Sequence, residues 1–444
     1  MSDDTVRQRP RPLVGRPGRR TRVGEGSDLS GQRNFRLLWF GETVSMCGSA
    51  TTTVALPLVA VSVLHAEAFT VGALAAATWL PFLLVGLPAG AWVDRFPRRV
   101  VMVAGDLISA ALFVSVPVAA WLHVLGVGQL LVVAFGAGLV RVFFRTAYQA
   151  YLPTVVEPHL LPQANARLQG SASAAEVAGP GIAGVIAQAT GAVTAVLADG
   201  VSFLVSAACL LRIDVKERPI ADPRQTTGLI RRIGEGLRFV VGDRYLRTLA
   251  AFGALSNMLL VAVQALLVIF LIRDVGVASG TAGLLIAGLG IGGVAGAAVS
   301  SRLLRRFGTA RTMVWSQLVS APFALLLPLT DRGWRLAFFL LGTVVLAAGV
   351  VISSIISSSF RQSYCPNHIL GRVSSVVSFL VFGVMPLGAL IGGALGATLG
   401  VRTALWILTG LLVAPVLLLI FSPISHGRDL PTGPAPDPDL AKTA

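Results

Sequence analysis

The chain has 444 residues, 54% of them hydrophobic and 13% charged, about half the charged share of a soluble domain, which excludes an ordinary globular enzyme. A net charge of +15 would suit nucleic acid, but the arginines sit in short links between apolar runs, the distribution that the positive-inside rule produces in membrane proteins. Cys47, Cys209 and Cys365 lie far apart in or beside apolar runs, so neither a disulfide framework nor a thiolate metal site is expected.

Residues 1–33 are rich in Arg, Pro and Gly and hold no apolar core. They read as a disordered basic cytoplasmic tail and not as a signal peptide. From Phe35 onward, runs of about twenty apolar residues recur, the length a helix needs to cross hydrocarbon. Twelve spans are expected, at 35–64, 69–93, 100–122, 128–150, 164–189, 192–213, 247–271, 280–302, 309–330, 334–358, 371–399 and 402–423. The connection from Asp214 to Leu246 is charged, holds Pro219 and Pro223, and carries an amphipathic pattern from Leu229 to Val241. It reads as a cytoplasmic linker, 214–246, between six-helix bundles at 34–213 and 247–424, with a disordered tail at 425–444. With the N-terminus inside, only Arg273, Arg332, Arg335 and Arg402 among 36 Lys and Arg fall in or beside external loops. Both termini are therefore expected in the cytoplasm.

The two halves also repeat. A shift of 207 residues lays Asp94-Arg95 and Arg98-Arg99 onto Ser301-Arg302 and Arg305-Arg306. Shifts of 208 and 206 lay Pro158 onto Pro366 and Pro180 onto Pro386.

Between the second and third runs lies Gly90-Ala91-Trp92-Val93-Asp94-Arg95-Phe96-Pro97-Arg98-Arg99. Its charges cannot enter hydrocarbon cheaply and stop both helices at one face, while Gly90 is expected to let the helix ends approach closely. The plain reading is a topology anchor, but an anchor has no need of the carboxylate. Gly, three spacers, Asp-Arg, two residues and Arg-Arg resemble the signature loop of the major facilitator superfamily, with Pro97 where many members carry Gly. The resemblance implies an all-α polytopic membrane protein of twelve transmembrane helices in two pseudo-symmetric bundles. It also implies that Gly90, Asp94, Arg95, Arg98 and Arg99 form a gating loop, a latch on alternating access.

The fifth run carries Ala175, Gly179, Pro180, Ala183 and Gly184, small residues spaced for close helix contact around a proline. A tight helix crossing would explain them. They are also similar to the fifth-helix motif of the superfamily's exporters, in which Gly179, Pro180 and Gly184 are the matching positions. Asn34 to Trp39, Ala55 to Leu58, Leu161 to Ala166, Asp199 to Phe203 and Leu370 to Val373 resemble landmarks of its drug, macrolide and siderophore exporters.

Polar stripes mark four spans. Glu42, Ser45, Ser49 and Thr52 or Thr53 recur on one face of the first, and Gly138, Arg141, Arg145 and Tyr148 on one face of the fourth. Asn257 and Gln264 do so on the seventh, and Gly349, Ser353 and Ser357 on the tenth. The resembled superfamily places these spans around its cavity, so Ser45, Ser49, Tyr148, Asn257, Gln264, Ser353 and Ser357 are candidate substrate contacts. Bonding to the parent helix is the plainer role for the serines. Glu42, Asp106, Arg141, Glu176 and Asp199 lie inside apolar runs, where a charge costs ~2.5–3.5 kcal/mol. Glu42, Arg141, Glu176 and Asp199 are candidates for proton coupling, with Glu42 and Arg141 as the expected pair. Asp106 and Asp199 match family landmarks, so helix pairing stands beside function for both.

No phosphate-cradling Gly-Lys-Ser or Gly-Lys-Thr loop occurs, so an ion or substrate gradient must supply the energy. The expected function is export of a small, largely apolar molecule, such as a drug, a macrolide or a secondary metabolite, by proton antiport. Sodium coupling, a siderophore or biosynthetic-product exporter, and a non-transporting receptor on the same fold are the alternatives. The expected partners are a small-molecule substrate, protons and the bilayer of the cell membrane. Neither cofactor, metal nor nucleic acid is expected, and the protein is expected to be monomeric.

Overall fold

The computed structural model describes residues 29, 32–86, 88–93, 95–215 and 229–431. Among them the regular structure is helical throughout, as the absence of water in hydrocarbon requires of a chain that must satisfy its own backbone. The first half comprises Arg33–Ser62, Ala68–Val85, Arg98–Trp121, Val127–Val155, Leu161–Thr190 and Ala192–Leu211. A surface helix, Leu229–Gly242, follows the undescribed stretch 216–228. The second half comprises Arg244–Ile269, prolonged by the π turn Phe270–Val275, then Ser279–Phe307, Thr309–Phe323 and Leu336–Tyr364. It closes with Asn367–Gly383 and Met385–Leu399 as the eleventh span, and Val401–Leu411 and Val413–Ile420 as the twelfth.

Among the described residues, ten helices are long and apolar enough to cross a membrane. The fifth span has 30 residues but carries Gln163, Asn165, Arg167, Gln169 and Glu176. The ninth has 15 residues, about 22 Å of helix. For these two, length and composition do not by themselves support the expected count of twelve. The second span also differs from the expected run to Val93. Its helix ends at Val85, and a separate short helix, Ala89–Val93, follows Pro88, whose ring cannot sit inside a helix without crowding the preceding turn.

Order extends into both expected tails. Leu29 is fully buried against the core that holds Phe35 and Leu38. At the other end, Thr309 donates its backbone N–H to the Asp429 carboxylate at 2.8 Å, and Ala310 donates to the Arg428 carbonyl at 3.1 Å. The chain therefore stays docked through the 425–431 stretch. The remainder of both expected tails lies outside the described residues.

The first span packs on the fifth and sixth, the third on the fourth and sixth, and the second on the fourth; in the other half the tenth packs on the eighth and ninth, and the seventh on the eleventh. Two seams join the halves, fifth against eighth and second against eleventh. Gly184 needs to be glycine at the first seam, because a Cβ there would overlap the Ser279 carbonyl and the Gly283 backbone.

The apolar cores are distributed unequally between the two ends of the bundle. At the end opposite the 93–98 link, one continuous core runs from Val54–Val61 and Val71 through Ala183 to Leu266–Leu271 and Ala282, and so belongs to both halves. At the link end there are two. One, around Phe35, Met102, Tyr151 and Leu210, lies within the first half, and the other, around Leu246, Met313, Phe360 and Leu419, within the second. The named polar ties at the link end stay within one half too. They are Asn34 to Asp214, Tyr364 to Asp243, and Arg372 to Glu235. The halves are closed on each other at the far end and separately packed at the link end.

Candidate functional site

The far-end closure accounts for the arginines that break the charge bias. Arg273 donates to the Val61 carbonyl of the first span at 3.3 Å, across the two halves. Arg332 donates to the Val275 carbonyl at 2.9 Å, and Arg402 to the Pro328 carbonyl at 3.3 Å while lying over the Phe270 ring at 5.3 Å. Arg335 pairs with Asp331 at 3.8 Å. Each cation is committed to a local anion or carbonyl at a turn.

At the link end, Arg99 donates to the Leu210 carbonyl at 2.8 Å and to the Leu211 carbonyl. This puts a cation on the C-terminal carbonyls of the sixth span, where the helix dipole favours it. Arg95 is exposed and Arg98 half-buried, and Asp94 lies outside the described residues. Gly90 does not serve the close approach expected of it, since a Cβ there meets no described atom within 4 Å. The break at Pro88 and the stacking of Trp92 on Phe143, at 5.9 Å between centroids, set the path of the chain instead.

Inside the first half, polar groups gather at two depths. Gly48, Thr52, Arg141 and Asp199 lie about 18–29 Å along their helices from the link end, at about 1.5 Å per residue. Asp199 is wholly buried and accepts hydrogen bonds from Thr52 and, at 3.1 Å, from Ser202. Gly48 makes room for this knot, because a Cβ there would overlap both Asp199 and Ser202. The Arg141 guanidinium lies near enough to act electrostatically on Asp199.

The shallower set is Glu42, Asp106, Tyr148 and Ser206, about 8–14 Å in. Gly41 is pressed against the Ser206 backbone and Cys209, which fixes Glu42 at that level. Glu42 acts electrostatically on Asp106 and on Tyr148. Asp106 is 1% exposed. Neither of its carboxyl oxygens has a hydrogen-bond partner, and the buried Tyr148 hydroxyl has none; Ser206 lies beside Asp106 without hydrogen-bond geometry.

The expected Glu42–Arg141 ion pair is not among the ion pairs of the described residues. The reason is depth. Arg141 sits about 21 Å into the fourth span and Glu42 about 14 Å into the first, so the arginine acts electrostatically on Asp199 and the glutamate on Asp106.

Arg141, Arg145, Glu176 and Gln264 are exposed in the middle of their helices. Ionisable side chains in membrane-spanning helices as a rule face the bundle interior rather than lipid. On the fifth span, Glu176 shares a face with Gln169 and Ser173, between the side packed on the first span by Gly179 and the side packed on the eighth by Gly184. Pro180 is accommodated inside an unbroken helix. Arg145 lies over the Phe382 ring at 5.8 Å, and Phe382 stacks on Trp79 at 6.1 Å and meets Phe82 at 5.7 Å. This aromatic cluster bridges the halves, and nothing local in the chain signals it, because its members lie on spans far apart.

The other candidates are modest. Ser45 and Ser353 are buried, and Ser49 and Ser357 half-buried. Ser353 donates to its own helix at the Val350 carbonyl, 2.9 Å, and Asn257 to its own at the Gly253 carbonyl, 2.8 Å. No cluster of metal-ligating side chains occurs among the described residues.

Two pseudo-equivalent helical bundles enclosing charged groups in a membrane-spanning shell define a polytopic membrane transporter rather than an enzyme. The transmembrane secretion effector family model matches residues 28–442, and the chain belongs to that family of major facilitator transporters. It is similar to the multidrug efflux pump Tap of Mycobacterium tuberculosis, 30% identical over 91% of this chain and 96% of that protein. It is also similar to macrolide efflux protein A of Streptococcus pyogenes, 23% identical over 83% and 90%. Among solved structures, a bacterial homologue of the iron transporter ferroportin matches in its inward-facing state with a TM-score of 0.72, at 16% identity over 87% of this chain and 98% of that one. A bacterial homologue of ferroportin in its outward-facing state matches with a TM-score of 0.58, at 17% identity over 89% and 100%.

Proposed function

We propose that this protein exports small, largely apolar drug-like or macrolide-like molecules across the cell membrane by proton antiport with alternating access. The observation that carries this reading is the unequal core, shared at the far end and split at the link end. A bundle built this way presents its interior charges to one side only. The link end carries the arginine-rich loops, so the positive-inside rule puts it and both termini in the cytoplasm, and the conformation is inward-open. Efflux by the related multidrug and macrolide pumps supports the direction. The aromatic cluster of Trp79, Phe82 and Phe382 offers flat apolar faces to a lipophilic substrate.

The test is reconstitution of the full chain in proteoliposomes with ethidium, a fluorescent lipophilic cation, as probe. An imposed proton gradient should drive ethidium uphill, with protons moving the other way. Saturable binding without flux would leave a receptor, and flux indifferent to the gradient would sink antiport.

A further inference from the structure

The shallower polar layer holds two carboxyl groups that the fold leaves without a counter-charge. Neither Glu42 nor Asp106 has an ion-pair partner among the described residues. Glu42 is half-buried, whereas Asp106 is sealed at 1% exposure with both oxygens unsatisfied. An ionised carboxylate so placed costs far more than a protonated one. Two neighbouring carboxylates in such a medium repel each other when both are ionised, so the doubly charged pair takes up one proton readily.

We propose that Glu42 and Asp106 share a single proton and together form the site at which this transporter binds its coupling ion. This rests on the antiport reading above and supplies its ion site. A hydronium ion in the interior water gives its proton to the Glu42 carboxylate and leaves as water. That step takes the pair from two negative charges to one; the new O–H bond on Glu42 then breaks as one forms on Asp106, with no further change in the charge of the pair. The Tyr148 hydroxyl, buried beside them and unpartnered, is free to donate to whichever carboxylate remains. Glu42 is the door and Asp106 the store.

The surrounding ionisable groups do not compete for this part. On the sixth span, Asp199 has its oxygens occupied by Thr52 and Ser202 and lies near Arg141, so it already has hydrogen-bond donors and a counter-charge. Cys209 on the sixth span and Cys47 on the first carry no formal charge as thiols. Arg145, from the fourth span, is engaged with Phe382. On the fifth, Glu176 is exposed in mid-helix with no ion pair among the described residues, and Arg167 lies toward the link end.

The experiment is infrared difference spectroscopy on the full chain in lipid, following the carbonyl stretch of protonated carboxyl groups as pH is varied. The wild type should titrate in two steps separated by about one pH unit or more, as coupled sites do. Asp106→Asn should leave a single step displaced by about one unit, and Glu42→Gln should displace the Asp106 step in turn, so that either variant suffices if the other fails to fold. Two-step titration that survives both substitutions overturns the shared site. So does displacement of the band by sodium chloride but not by choline chloride, which would make it a sodium site. Ethidium transport separates the two readings. A wild type blind to the proton gradient sinks antiport, whereas Asp106→Asn with wild-type proton-driven transport sinks this site and leaves antiport standing.

Discussion

Single residues in this bundle act mainly by what they allow next to them. Gly48 carries no side chain because the Asp199 knot occupies the space a Cβ would take. Gly48→Leu is expected to destabilise the protein by about 1–3 kcal/mol, the usual range for overpacking, and to part the first and sixth spans. Thermal unfolding in detergent checks it, and an unchanged midpoint would mean that the knot is loose. Asp243 works in the opposite sense, by supplying bonds. Its carboxylate accepts from the Tyr245 and Leu246 backbone N–H groups at 2.9 Å and from the Tyr364 hydroxyl, capping the seventh span and tying it to the tenth. Asp243→Ala should cost about 1–2 kcal/mol, and Asp243→Asn less, since an amide oxygen still caps.

Among the elements, the fifth span decides most. It reaches the first span through Gly179, which abuts Ala50, and the eighth through Gly184, which abuts Gly283, so the exporter-like motif lies at the contacts that must stay thin for the halves to meet. Gly184→Ala should spread the seam between fifth and eighth spans and slow ethidium transport several-fold at unchanged expression. The control is Gly181→Ala, whose added Cβ would meet only Leu284, at an ordinary 3.5 Å, and it should transport normally. Equal rates in the two variants would show that the seam is not strained during the cycle. The 93–98 link behaves as an element too, through Arg99 on the carbonyls that end the sixth span. The pseudo-equivalent place in the second half is tied by different chemistry, with the turn at Thr309 docked on Asp429.

For the molecule as a whole, separate cores at one end and a shared core at the other imply that the halves move as units about the far end. Spin labels at Phe96 and Phe307, both exposed and near the link end of their halves, should give a broad or two-peaked distance distribution in a background lacking Cys47, Cys209 and Cys365. Shifting the pH should redistribute the peaks. A single narrow distance at every pH would contradict alternation.

How much of this was legible beforehand follows from the range of the forces. Apolar run length determined the helices, and arginine placement and the internal repeat suggested two like halves, because these depend only on composition along the chain. The intramembrane carboxylates were legible as well, since a charge in an apolar run is conspicuous on its own. Their partners were not. Which carboxylate lies near Arg141 depends on helix depth and rotation across four spans, and in the folded chain it is Asp199 and not the expected Glu42. The breaks at Pro88 and near Pro386 and Pro415 had a local signal, but a proline inside a helix can also be absorbed, as Pro180 is. Only the tertiary structure decided that Asp106 is sealed without a hydrogen bond, that Arg145 meets Phe382 across the halves, and that the bundle is closed at one end. These are contacts between residues far apart in the chain, fixed by packing, and nothing in local composition encodes them.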